Sequence, residues 1–126
     1  LKIAGLAVQR PISPHIQIYR PQITSVMSIL HRITGVITVV ALVLISVLFI
    51  SSSYGEAAFN STVRIVFSLP GKIILCGFLL GISYHLCNGI RHLFWDAGYG
   101  LRIDAIRKSA VFVIVGAVML SFFFAI

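Results

Sequence analysis

The segment HLCNGIRHLFWDAG, residues 85–98, brings two imidazoles, a guanidinium and a carboxylate (His85, His92, Arg91, Asp96) into a chain that is otherwise apolar. On a helix, His85 sits about 9 Å deeper than Arg91, the nearest charged residue. At about 100° per residue, Gly81, His85, Gly89, His92 and Asp96 share one stripe. A glycine one turn to either side of His85 strips that face of side chains. The resulting flat gap suits a planar macrocycle ligated through an imidazole nitrogen. Two other readings fit the same spacing. Gly77, Gly81 and Gly89 also suit close helix packing, and a membrane histidine can hydrogen-bond a neighbouring helix or pass a proton.

A second constellation lies upstream in SILHRITG, residues 28–35. Ser28, His31, Arg32 and Gly35 follow the offsets 0, 3, 4 and 7 of a single helix face. The Arg32 guanidinium presents a planar fork of donors. Such a fork could hold haem propionates, polarise a quinone carbonyl or bind a lipid phosphate. It could also simply snorkel to the headgroups.

The elements that must carry these groups follow from composition. The chain has 126 residues, 59% of them hydrophobic and 10% charged, against roughly 25% charged in soluble domains. Residues 33–55, 73–90 and 109–126 are free of Lys, Arg, Asp and Glu. Eighteen helical residues rise about 27 Å, close to the ~30 Å of bilayer hydrocarbon. The expected fold is therefore an all-α membrane protein of three transmembrane helices, near residues 27–52, 66–94 and 105–126. These form a single anchor domain over 1–126, with 1–26 as an extended arm broken by Pro11, Pro14 and Pro21. His15 lies in this arm. The segment SSSYGEAAFNST reads as a polar outer loop, and Gly98 and Gly100 mark a turn before the third helix.

The net charge of +7 points to topology rather than to nucleic acid. Lys2, Arg10, Arg20, Arg32, Arg91, Arg102, Arg107 and Lys108 fall on one side of the expected spans, and only Arg64 and Lys72 on the other. This bias places the N-terminus and the second connection on the matrix or cytoplasmic side. The two cysteines, Cys76 and Cys87, are eleven residues apart on one expected helix. That spacing is too long for a disulfide, and they read as small buried hydrophobes.

Taken together, RPISPHIQIYRPQITSVMSILHRITG and HLCNGIRHLFWDAG resemble the cytochrome b large membrane-anchor subunits of succinate dehydrogenase, respiratory complex II. The family pattern joins an early R-P to S-x-x-H-R-x-[ST]. It then continues, at the end of the second span, with H-x-x-x-G-[aliphatic]-R-H-x-x-[aromatic]-D-x-G. Arg10, Pro11, Ser28, His31, Arg32 and Thr34 match the first part. His85, Gly89, Arg91, His92, Trp95, Asp96 and Gly98 match the second.

The resemblance implies that His85 is one axial ligand of haem b, with the other supplied by a smaller membrane-anchor subunit. It implies that Ser28 and Arg32 line a ubiquinone site completed by that subunit and the iron–sulfur subunit, and that His31 and Arg32 lie near the haem propionates. Succinate oxidation would belong to a flavoprotein subunit, leaving no catalytic residue for that step in this chain. The location implied is the mitochondrial inner membrane or a bacterial cytoplasmic membrane, in contact with its lipids. Two other classes remain beside it: a structural anchor without a redox role, and a subunit of an ion or proton transporter.

Overall fold

The computed structural model describes Ile18 and residues 20–126; the remainder of the arm, with Lys2, Arg10, Pro11, Pro14 and His15, lies outside the described residues. The described residues form four helices: α1 Ile23–Ser53, α2 Glu56–Val66, α3 Leu69–Asp96 and α4 Ile103–Ala125. Of these, α1, α3 and α4 are long and apolar enough to cross a membrane, at 31, 28 and 23 residues. Helix α3 is central and packs on both α1 and α4.

The boundaries differ from the sequence pattern at three places, each with a local cause. Helix α1 begins directly after Pro21 and Gln22, so residues 23–26, which the pattern assigns to the arm, are helical. Next, the polar segment after Gly55 is not a loop. Its second half and the residues beyond form α2, with Glu56 in the first turn and Arg64 in the last, both favourable to the helix dipole. Phe59, Val63 and Phe67 face Ile45, Leu48 and Phe49 of α1 across a shallow cleft, so α2 lays an apolar side on α1. Finally, α3 starts at Leu69 rather than near 66. The Ser68 hydroxyl accepts from the Gly71 amide at 3.3 Å, and Pro70 occupies the first turn. A β-carbon at Gly71 would run into the Val66 carbonyl, so only glycine permits this tight α2–α3 corner.

The α3–α4 connection ends α3 in a Schellman motif. Tyr99 N–H donates to the Phe94 carbonyl and Gly98 N–H to the Trp95 carbonyl, each at 2.9 Å. Gly98 has φ +83°, the left-handed conformation that this cap requires. The chain then re-enters the bundle as α4.

Little apolar surface is buried within the chain itself. The core is Met27, Tyr84, Ala110, Val113 and Ala117, with Cys87 packed against it. Cys76 is exposed rather than buried, contrary to the reading of both cysteines as interior residues. Large apolar side chains along all three long helices, from Val36 and Phe49 to Ile73, Phe112 and Phe123, point outward. Those faces must meet hydrocarbon, from lipid or from another helix.

Candidate functional site

One turn of α1 receives the His85 side chain of α3. The imidazole rings of His31 and His85 stack with centroids 4.1 Å apart and planes 6° from parallel. His85 Nδ1 lies 3.1 Å from the His31 backbone carbonyl and 3.4 Å from the Thr34 hydroxyl. A carbonyl oxygen can only accept, so the shorter bond requires a proton on Nδ1. In the neutral ring Nε2 is then the unprotonated nitrogen, and it makes no hydrogen bond among the described residues. The Thr34 hydroxyl is itself tied back to the Leu30 and His31 carbonyls, at 2.9 and 3.0 Å. Gly35 completes the seat: a β-carbon there would come within 3.2 Å of His85 Cε1.

The glycines one turn to either side of His85 face α1. A β-carbon at Gly81 would lie 2.9 Å from Ile37 Cγ2, and one at Gly89 would lie 3.7 Å from His31 Cε1. The absent side chain at Gly81 lets Ile37 of α1 approach α3, whereas at Gly89 a β-carbon would make an ordinary contact. Gly81 thus serves close helix packing against α1. The same spacing does not serve Gly77, where a β-carbon would meet nothing within 4 Å.

The upstream face divides. His31 and Gly35 turn toward His85, Ser28 is half-buried and Arg32 is exposed. His31 lies against His85, and its own Nδ1 is buried without a hydrogen-bond partner among the described residues. His92 joins the group with its ring 5.1 Å from that of His31, and Trp95 meets His92 edge-on at 5.2 Å. Asp96 is exposed.

These residues fit a haem iron held through His85. The ring is oriented by an acceptor on one nitrogen, which leaves a lone pair on the other, the arrangement usual for metal-bound histidine. His31 cannot be the opposite ligand in this arrangement. Two rings stacked face to face at 4.1 Å present their π-faces to one another, not their nitrogens.

Sequence reasoning missed a second polar junction on the neighbouring stripe of α3. Tyr84, Asn88 and Arg91 follow the offsets 0, 4 and 7, a pattern that would have marked them as one face. Arg91 is only 5% exposed and Asn88 is fully buried. Arg91 Nε donates to Ser109 Oγ at 3.0 Å and Nη2 to the Ile106 carbonyl at 3.0 Å. Its Nη1 reaches Met27 Sδ and Asn88 Oδ1, both at 3.4 Å. The guanidinium also lies over the Trp95 ring, 4.1 Å from its centroid. Tyr84 Oη donates to the Met27 carbonyl at 3.1 Å. One arginine thus ties α1, α3 and α4 together beside the histidine cluster, and among the described residues no carboxylate pairs with it.

Three apolar spans, a cationic end and an oriented histidine inside the span define a helical membrane protein with a polar histidine cluster toward one end. The comparison with known proteins makes this specific. The profile of the succinate dehydrogenase/fumarate reductase transmembrane subunits matches residues 7–124, and the chain belongs to that family. It is 42% identical over 113 residues to a succinate dehydrogenase cytochrome b556 subunit of Rickettsia prowazekii (strain Madrid E), covering 90% of this chain and 88% of that one. The corresponding protein of Paracoccus denitrificans is 43% identical over 112 residues, covering 89% and 86%. A cytochrome b560 subunit of Marchantia polymorpha is 36% identical over 122 residues, covering 92% and 88%.

Proposed function

We propose that this chain is the haem b-bearing membrane-anchor subunit of a succinate:ubiquinone oxidoreductase. The observation that carries the reading is the 3.1 Å bond from His85 Nδ1 to the His31 carbonyl. It leaves the Nε2 lone pair for iron and fixes the ring that offers it. A second ligand to the iron would come from the smaller membrane-anchor subunit. When bound, the haem supplies a one-electron carrier within the membrane.

Ser28 and Arg32 line the ubiquinone site at the same end of the bundle, which the iron–sulfur subunit and the smaller anchor complete. The Ser28 hydroxyl donates to a quinone oxygen. Arg32, exposed on α1, stabilises the negative charge that develops on the quinone as electrons arrive. A single well-placed donor of this kind is worth about 3 kcal/mol of barrier. His31 and Arg32 lie beside the haem propionates. Succinate is oxidised in the flavoprotein subunit, and the iron–sulfur subunit delivers the electrons. The whole chain, 1–126, acts as one anchor, with its arm and its α3–α4 turn on the matrix or cytoplasmic side, where Arg20, Arg32, Arg91, Arg102, Arg107 and Lys108 gather. The membrane is the mitochondrial inner membrane or the cytoplasmic membrane of a bacterium.

A dithionite-reduced minus oxidised spectrum of the purified complex tests the haem assignment. The wild type gives b-type bands, and His85→Ala loses or shifts them; bands untouched by that substitution would contradict the role of His85. Arg32→Ala lowers quinone reductase activity and inhibitor sensitivity while succinate oxidation by an artificial acceptor persists. Unchanged quinone reduction would remove Arg32 from the site.

A further inference from the structure

We infer that Thr34 and Gly35 are positioning residues for His85, and that the Thr34 hydroxyl helps to set the reduction potential of the iron this histidine holds; this rests on His85 being the haem ligand. The turn of α1 from His31 to Gly35 constrains the imidazole in three independent ways. Its face lies on the His31 ring at 4.1 Å. Its Cε1 edge is close to Gly35, where a β-carbon would intrude to 3.2 Å. Its Nδ1–H is directed to the His31 carbonyl at 3.1 Å, with the Thr34 hydroxyl 3.4 Å away as a second, longer acceptor.

The hydroxyl can accept because its proton is committed elsewhere. Its one proton serves the Leu30 and His31 carbonyls, at 2.9 and 3.0 Å, so toward the His85 Nδ1–H the hydroxyl acts as an acceptor. Acceptors on Nδ1–H give the ring more imidazolate character and make Nε2 a stronger donor. A stronger donor favours the ferric over the ferrous state, so the hydroxyl holds the potential down. Helix α1 is not only the wall facing His85. It fixes the tautomer of the ring, its rotation and part of its basicity.

The test uses the intact purified complex bearing Thr34→Val, Thr34→Ser, Gly35→Ala or His85→Ala. It reads haem per complex, the reduced-minus-oxidised spectrum and the haem midpoint potential. Thr34→Val conserves shape and removes the acceptor. We expect it to keep its haem and to titrate at a higher potential than wild type, with a partial shift because the His31 carbonyl remains. Thr34→Ser restores the wild-type potential. A Thr34→Val midpoint that is unchanged or lower overturns the role of Thr34, as does a serine variant that behaves like the valine one. Gly35→Ala forces the ring aside, and we expect lower haem occupancy or a displaced α-band in the assembled complex. Wild-type occupancy and spectrum overturn the role of Gly35. If that variant does not assemble, the Thr34 series decides alone. His85→Ala separates the two levels. Retention of native haem there refutes the ligand assignment itself, whereas its loss beside wild-type Thr34 and Gly35 variants refutes only the positioning role.

Discussion

At the end of the bundle shared by Met27, His31, His85 and Arg91, the long helices meet through hydrogen bonds and stacked rings. At the other end, Ala41, Leu44, Ile45 and Leu48 of α1 face Leu75, Phe78, Leu79 and Ile82 of α3 across a cleft of about 270 Å³ lined only by apolar residues. The difference follows from the solvent. In hydrocarbon, apolar side chains gain nothing by leaving lipid for one another, so a helix pair is held where small residues allow close approach or polar groups can bond. This chain gathers its polar bonds between the long helices at its cationic end, the end at which chemistry is proposed. The opposite end is left smooth. The bonds between helices therefore gather around the His85 imidazole.

The sharpest way to break this contrast is to remove Arg91. In Arg91→Met, Asn88, fully buried and with its Nδ2 already unpartnered among the described residues, loses its remaining side-chain contact. The links from α3 to Ser109 and to the Ile106 carbonyl go as well. With a stranded polar group costing about 1–3 kcal/mol, we expect a loss of about 3 kcal/mol. It would be read as a lower thermal transition of the detergent-solubilised complex and a smaller yield of assembled protein. Lys72→Met, an exposed charge at the other end, leaves both unchanged. Equal effects at the two positions would refute the contrast.

What local composition decides was largely legible beforehand, and what depends on how the helices meet was not. An uncharged window of bilayer length is a local property, so the three spans and the glycine turn at 98 and 100 can be read from composition and punctuation. Helix α2 escapes because Asn60, Ser61 and Thr62 give its segment a loop-like composition, which hides the helical recurrence of Phe59, Val63 and Phe67. His85 and its flanking glycines stand out, but what fills the space beside them depends on the register of α1 against α3, which no single helix encodes. That register sets Thr34 and Gly35 against the imidazole. Arg91 illustrates the same limit. As a charge near the end of a span it resembles an anchor in the headgroups, and only the partners on α1 and α4 show it turned inward.

Gly81→Ala tests the contact at the boundary of the two regions. The added β-carbon would meet Ile37 Cγ2 at 2.9 Å, and a branched side chain on a packed helix has little room to move. Overpacking of this kind costs about 1–3 kcal/mol. It should also push α1 away from His85, so the thermal transition falls and the reduced spectrum broadens together. A stability loss with an untouched spectrum would confine the strain to Ile37. Tyr84→Phe is the gentler counterpart. It deletes only the bond from Oη to the Met27 carbonyl, and we expect a loss of about 1 kcal/mol in the same thermal measurement. A variant as stable as wild type would show that this buried hydroxyl adds nothing to the α1–α3 contact.

The smallest effect is expected at Gly77, one turn of α3 beyond Gly81 toward the smooth end. Nothing lies within 4 Å of a β-carbon placed there, and the residue is exposed. With no neighbour to displace, Gly77→Ala acts through the backbone alone. Alanine is the better helix former, by up to about 1 kcal/mol in water. That advantage shrinks in a bilayer, where α3 must keep its backbone bonds whichever residue is present. The thermal transition should therefore stay level or rise slightly. The outcome that would revise the comparison is a drop like that of Gly81→Ala. A glycine that cannot accept a methyl group must face something close. In the assembled complex that would be a helix of another subunit, and the apolar end would then be an interface held by small-residue packing rather than a surface left to lipid.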